Sequence, residues 1–168
     1  VVETDPITVT VPLANITNGI EFNGGNGFNS ITFTNDLTLT GVDNDITLND
    51  LRDYTQNGNI NIQGDFTIPN GFGFDLLLGE LTANNLTING VDKILDQELA
   101  LTITGITQLQ ALDGIDIDDG QSRHNFSGEV NLTAGQVVFT AGANTTFGVV
   151  TVNDSGALIN ELTISPGN

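Results

Sequence analysis

The side chains best placed to do chemistry in this sequence are four clustered aspartates, Asp113, Asp116, Asp118 and Asp119. Calcium takes about six to eight oxygen ligands, and closely spaced carboxylates are suitable donors. In an extended strand, Asp116 and Asp118 point to one face and Asp119 to the other, so a turn at 118–120 would have to gather them. The cluster predicts a Ca2+ site, and a solvated turn is the alternative explanation.

The single histidine, His124, is the next candidate, because nucleophilic catalysis by a hydroxyl needs a base. Its neighbours Arg123 and Asn125 are polar, and no Gly-x-Ser-x-Gly nucleophile elbow occurs. These features indicate a solvated surface histidine. Zinc usually takes three or four His, Cys or acidic ligands, so one histidine and no cysteine argue against a zinc site. The sequence therefore predicts no catalytic residue and a protein that is not an enzyme.

One enzymatic alternative starts from the acidic pair Asp118-Asp119, which is followed by Arg123-His124. This arrangement resembles the acidic pair and basic residues of β-helical pectin-degrading enzymes. The resemblance implies a polysaccharide hydrolase or lyase in which two carboxylates share the acid and base roles. The chain has 168 residues, which is short for such enzymes, and no second motif accompanies the pair. This class is therefore the most distant alternative.

The charge balance restricts the partners of the chain. The sequence contains 21 acidic residues and only three basic ones, which gives a formal net charge of −18. Nucleic acids and anionic membranes both require several cationic contacts, so neither is an expected partner. No apolar run approaches the roughly 20 residues of a membrane helix. The chain begins with Val and contains no Met, which a removed signal peptide would explain, so we expect a secreted, cell-surface or virion-surface protein.

An apolar-Thr-apolar unit recurs along the whole chain and usually ends at Gly, Asn, Asp or Pro. Alternation with a period of two is typical of strands whose apolar side chains enter a core while Thr faces outwards. Thr and β-branched residues also suit strands. The pattern predicts an all-β fold. The units start at residues 7, 31, 37, 46, 66, 86, 101, 132, 150 and 162.

The spacing of these units decides between β architectures. The starts at 46, 66 and 86 are 20 residues apart, as the coils of a parallel β-solenoid would require, but the remaining starts are irregular. Irregular spacing favours a sandwich or jelly roll, with the solenoid as the alternative. We also expect short helical connectors at 49–58, 93–99 and 107–112.

The N-terminal region differs from the rest of the chain. Ile7, Val9, Val11 and Leu13 alternate with smaller residues and predict an apolar strand at 1–14. A tether rich in Gly and Asn is expected at 15–30, followed by a single β domain at 31–168. An unpaired apolar strand must find a sheet, so these four side chains are predicted subunit contacts, with self-pairing as the alternative.

Two repeated units carry a family resemblance, Leu-Thr-Ile-Asn-Gly at 86–90 and Leu-Thr-Ile-Thr-Gly at 101–105, together with the connector at 110–115. They resemble segments of bacterial surface fibres, adhesins and phage fibre proteins over about 31–132. The N-terminal strand is similar to the donor strands that link subunits of some extracellular filaments. These resemblances imply a structural or attachment role and no specific functional residue.

The leading hypothesis is therefore a non-enzymatic subunit of a self-assembling extracellular or virion fibre, a homopolymer whose subunits could be linked by strand donation. The second is a calcium-dependent adhesion module that binds cell-surface glycans. The chain has no Trp and only one Tyr, Tyr54, which leaves few aromatic side chains for stacking on sugars.

Overall fold

The fold is seen in a computed structural model, which describes residues 16, 18–25, 29–96, 99–118, 124–140, 146–147 and 149–154. These residues form strands and connecting turns without a helix, so none of them belongs to a helix that could span a membrane. The all-β prediction is confirmed. In chain order the strands are β1 (Ile20–Asn23), β2 (Ser30–Phe33), β3 (Leu37–Leu39), β4 (Ile46–Asn49), β5 (Asp53–Gln56), β6 (Ile60–Ile62), β7 (Phe66–Ile68), β8 (Asp75–Leu78), β9 (Leu81–Ala83), β10 (Leu86–Asp96), β11 (Leu101–Ile103), β12 (Thr107–Asp118), β13 (Asn125–Phe126), β14 (Val130–Ala134), β15 (Gln136–Thr140), β16 (Thr146–Phe147) and β17 (Val150–Asp154).

Every strand pairing among these residues is parallel, and the strands stack into three faces. The first face has the order β1-β4-β7-β10-β12-β14-β17, and the third has β16-β13-β11-β9-β6-β3. The second face contains the pair β2-β5, then β8 and β15, which flank the C-terminal halves of β10 and β12. The chain visits the three faces in turn and therefore forms a parallel β-solenoid.

The preference for a sandwich or jelly roll is wrong, and the solenoid alternative matches the fold. The starts of the Thr-centred units looked irregular because consecutive strands along the chain belong to different faces. Sorted by face, strands of the first face begin at Ile46, Phe66, Leu86 and Thr107, which are 20 or 21 residues apart.

The Thr-centred units are confirmed as strands wherever the structure describes them, since those starting at 31 to 150 lie in β2, β3, β4, β7, β10, β11, β14 and β17. The units at 7 and 162 lie outside the described residues. The predicted orientation is also confirmed: in β10, for example, Leu86 and Ile88 are buried while Thr87 between them is partly exposed.

The three predicted helical connectors are wrong where the structure describes them, because 53–56 form β5, 93–96 belong to β10 and 107–112 belong to β12. Leu51 and Tyr54 are three residues apart, like neighbours on a helix face, yet both enter the core across a corner of the coil. Leu51 forms an isolated bridge with Gly71 before β5 begins. At a corner, the alternation of buried and exposed side chains is interrupted. Two buried side chains can then lie three residues apart, which is also the spacing of neighbours on one face of a helix.

Corners also occur within continuous strands. The Asn-Gly pair at 89–90, a strong turn signal, lies inside β10, where Gly90 has a φ of 81°. A left-handed backbone conformation of this kind favours glycine. The register with β12 shifts between Ile88 and Val91, so β10 bends from the first face to the second without ending.

The segment expected to be a tether contains a strand. Ile20–Asn23, within the expected tether, form β1 and pair with Ile46–Asn49. Part of the 15–30 segment therefore belongs to the solenoid. The predicted N-terminal strand at 1–14 lies outside the described residues.

Candidate functional site

Three of the four predicted calcium ligands, Asp113, Asp116 and Asp118, lie on β12. Asp113 and Asp116 are exposed, and Asp116 alternates with the buried Ile115 and Ile117. β12 extends through Asp118, so the backbone stays in a strand where the turn was expected to start. Asp119 lies outside the described residues, as do the predicted subunit contacts at 7–13. Within the part of the chain that is described, no three His, Cys, Asp or Glu side chains gather into a metal-binding group. The calcium site stays a prediction.

The histidine prediction is wrong, because His124 is completely buried rather than solvated. It lies directly before β13, and its Nε2 is 3.1 Å from Oδ2 of Asp96, whose side chain is 2% exposed. The two groups approach closely without the alignment of a hydrogen bond. The His124 ring also packs against Phe126, with ring centroids 5.9 Å apart. A histidine–aspartate pair is thus enclosed in an otherwise apolar part of the core.

The backbone of the neighbouring coil fixes the tautomer of His124. The amide N of Leu101 donates a hydrogen bond of 3.2 Å to Nδ1 of His124. A nitrogen that accepts a hydrogen bond carries no proton, so the neutral ring is protonated at Nε2, the atom that faces Asp96. Both side chains of this pair are shielded from solvent.

The burial of His124 follows from its position in the repeat. Thr102 pairs with Asn125 and Ile103 with Phe126, which places His124 in register with Leu101 and, one coil earlier, Leu81. Both leucines are buried. The signal that could have predicted this was the alignment of Asn125-Phe126 with the Thr-Ile of the preceding coil.

The second face contains a break in its backbone pairing. β2 and β5 form a separate two-stranded sheet, although Cα atoms of β5 and β8 approach within 8 Å. Beside this break lies a cavity of about 290 Å3, lined by Tyr54, Thr55, Gln56, Asn57 and Leu77. We call this break, between β5 and β8, the seam.

The side chain of Gln56 bridges the seam. Its Oε1 accepts hydrogen bonds from the Tyr54 hydroxyl at 2.9 Å and from the Gly79 amide at 3.2 Å. Its Nε2 donates to the carbonyls of Glu80 at 2.7 Å and Gly58 at 3.1 Å. Gln56 is 4% exposed, so one buried amide joins two adjacent coils. Burial raises the pKa of the Tyr54 hydroxyl well above its usual range, which keeps this donor protonated.

At the corner before the first face, hydrogen bonds from backbone amides to side-chain oxygens join the coils. Oδ1 of Asp45 accepts a hydrogen bond from the Asp65 amide at 2.8 Å, and Oδ1 of Asp65 accepts one from the Asn85 amide at 3.1 Å. Oδ1 of Asn85 accepts one from the Ile106 amide at 2.7 Å. Each side chain thus bonds to the equivalent backbone position one coil later. We call Asp45, Asp65 and Asn85 the corner ladder.

Comparison with known proteins provides no relative for this arrangement. No family model matches the chain, and neither curated proteins nor solved structures contain a significant match.

Proposed function

We propose that this chain is a non-enzymatic structural subunit of a self-assembling extracellular or virion fibre. The observation that carries the proposal is the stacking of coils through parallel backbone pairing on three faces. In such a stack each coil presents the same kind of edge to the next, so one pattern can continue from one subunit into another. Coil edges of this kind suit head-to-tail assembly, which builds a filament when the contact does not close into a ring.

The first coil provides one such edge. Among the described residues, β1, β2 and β3 each pair only with a strand of the following coil. Ile20, Phe22, Ile31 and Phe33 of this coil are half-buried, whereas Ile46 and Leu48 one coil later are fully buried. An apolar strand laid along this end would cover these side chains and pair with the open edges, which is the chemistry of strand donation.

The outward surface and the net charge determine how copies of the chain would approach each other. One row on the first face runs in register through Thr47, Thr67, Thr87, Gln108 and Asn131, all short or neutral polar residues. The net charge of −18 keeps separate copies apart at low salt. At about 1 M salt the Debye length falls to roughly 3 Å, and this repulsion largely disappears. We therefore expect assembly to increase with ionic strength.

Electron microscopy and sedimentation of the full chain test the proposal. We expect filaments at about 1 M salt and mainly monomers at about 0.05 M, since only the repulsion changes. Deleting residues 1–14 distinguishes donation from self-pairing, because donation predicts soluble monomers that no longer polymerise. A full-length chain that stays monomeric at high protein concentration in both salts would contradict the fibre proposal.

A further inference from the structure

The outward side of the second face differs in chemistry from the other two faces. On the third face, one outward row runs in register through Thr38, Asn61, Thr82, Thr102 and Asn125, and every member is neutral and polar. The first-face row from Thr47 to Asn131 has the same character, and Glu21, in register with Thr47, adds one acidic side chain at its N-terminal end. On these faces, outward positions hold residues that hydrogen-bond to water or to each other and offer little apolar area.

On the second face, the corresponding row is largely apolar. Leu77 is in register with Leu95, Leu95 with Asp116, and Asp116 with Val138. Leu77 is 41% exposed, and Leu112, at the corner between the first and second faces, is 63% exposed. We call Leu77, Leu95, Leu112 and Val138 the second-face patch. Outward apolar side chains grouped on one side of a monomer typically mark an interaction surface.

Carboxylates surround the second-face patch. Asp53 and Asp75 lie two residues before Thr55 and Leu77 on their strands, and Asp113 follows Leu112 directly; all three are exposed. Lys93, in register with Asp75, is the one basic side chain within the described strands of this face. The face therefore combines apolar side chains with a net negative charge.

We infer that the second-face patch is a docking surface for a basic, amphipathic segment of another protein. Apolar side chains of the segment would cover Leu77 and Leu95, while its lysines or arginines would approach Asp53, Asp75 and Asp113. The cavity of about 290 Å3 beside Leu77 provides space for one large anchoring side chain. The seam is too narrow for a whole strand, because an inserted strand needs two spacings of about 4.8 Å between β5 and β8, and these strands already approach within 8 Å.

Charge excludes a second copy of this chain as the favoured occupant. Each copy carries 21 acidic residues and only three basic ones, so it has almost no cations to offer this face. Bringing two such faces together would place like charges opposite each other, which opposes association. The inference is independent of the fibre proposal, since fibre contacts involve the ends of the solenoid and this patch lies on its side.

Two fluorescent peptides of equal length and charge test the inference by anisotropy with the full chain at about 0.15 M salt. One alternates lysine with leucine and the other alternates lysine with serine. We expect the leucine peptide to bind at least about tenfold tighter, because burial of a single leucine contributes more than that factor. The double variant Leu77→Thr/Leu95→Thr, which introduces the residue common on the other faces, should remove this advantage. The matched control Thr67→Ser/Thr87→Ser on the first face should keep it.

Three results would overturn the inference. Equal affinity for the two peptides would show that only general charge attraction operates. An advantage that survives in the Leu77→Thr/Leu95→Thr variant would place binding elsewhere. Self-association of the chain in the absence of peptide, lost in that variant, would assign the patch to a second copy instead. A melting temperature close to that of the parent is required of each variant, so that a loss of binding does not come from unfolding.

Discussion

The first and second faces consist of the same coils, yet neighbouring coils are joined differently on each. On the first face, the backbone pairing runs from β1 to β17 without a break, and the corner ladder adds a side-chain hydrogen bond at three successive coils. On the second face, the pairing is interrupted at the seam, and the amide of Gln56 connects the two coils instead.

The two faces also differ in the side chains that they direct into the core. The inward row of the first face runs through Ile46, Phe66, Leu86, Thr107 and Val130, with Thr107 as its one polar member. The second face directs both Gln56 and Asp96 towards the core. At the seam, backbone groups without a ladder partner bond to the buried amide of Gln56, whereas Asp96 lies on β10, whose pairing with β8 is unbroken.

The largest expected effect contrasts the inside of the first face with the outside of the second. Phe66 is fully buried and meets the Tyr54 ring edge-on, with centroids 6.2 Å apart. Phe66→Ala should lower the free energy of unfolding by about 3–5 kcal/mol, measured by urea denaturation. Leu77→Ala removes an exposed side chain and should change it by no more than about 0.5 kcal/mol. Comparable losses for the two variants would mean that Leu77 is part of the core.

The buried pair His124–Asp96 should show strong coupling. His124→Leu matches the leucines in its row but leaves the Asp96 carboxylate facing an apolar side chain, which should cost about 3–5 kcal/mol. The double variant Asp96→Leu/His124→Leu removes both polar groups and should recover most of that loss. A double-mutant cycle in thermal or urea unfolding measures the coupling. If the two single losses simply add, the side chains do not stabilise each other.

The seam depends on Gln56, and replacing its amide should weaken the second face locally. Gln56→Leu leaves the Gly79 amide, the Glu80 carbonyl and the Tyr54 hydroxyl without this partner, which should cost about 1–3 kcal/mol. Amide hydrogen exchange should accelerate at 75–80 more than on the first face. Gln108→Leu, the same substitution at an exposed position of the first face, is the control. If both variants lower the free energy of unfolding equally, Gln56 has no special role at the seam.

The buried hydroxyl of Tyr54 predicts a loss of stability in alkali. Burial raises its pKa in the folded chain above the value of about 10 for an unfolded one. Above pH 10 the unfolded chain has lost this proton while the native state still holds it, so the free energy of unfolding falls as pH rises. The slope is up to about 1.4 kcal/mol per pH unit, and stability below pH 10 is unaffected by this group. Urea unfolding at pH 9 to 11 should show this slope in the parent but not in Tyr54→Phe.

The sequence predicted strands and their orientation well, because alternation directly reflects which side chains enter the core. Leu86-Thr87-Ile88 is read correctly without any knowledge of the fold. The architecture could not be read in the same way, since a solenoid interleaves three series of strands and only sorting by face reveals the period. Corners such as Leu51 also interrupt the alternation at the points where faces meet.

The buried polar residues were harder to predict than the strands. His124 is surrounded by polar neighbours in sequence, and only its register with Leu101 indicates burial. Gln56 has no sequence signal that distinguishes it from the outward Gln108. In both cases, the environment is set by contacts with residues 23 or 24 positions away on another coil, which local patterns do not contain.

The smallest expected effect is that of Thr107→Val, which is also the only substitution expected to increase stability. The Thr107 side chain is fully buried between Leu86 and Val130 in the inward row of the first face, and its Oγ1 has no hydrogen-bond partner. Thr107→Val keeps the shape and removes the unsatisfied hydroxyl, so the free energy of unfolding should rise by about 1 kcal/mol. Thr87→Val, on the outward side of the same face, should stay within about 0.5 kcal/mol of the parent in urea unfolding. A loss of stability in Thr107→Val would show that this hydroxyl is hydrogen-bonded, and the first face would then resemble the second in relying on a buried polar contact.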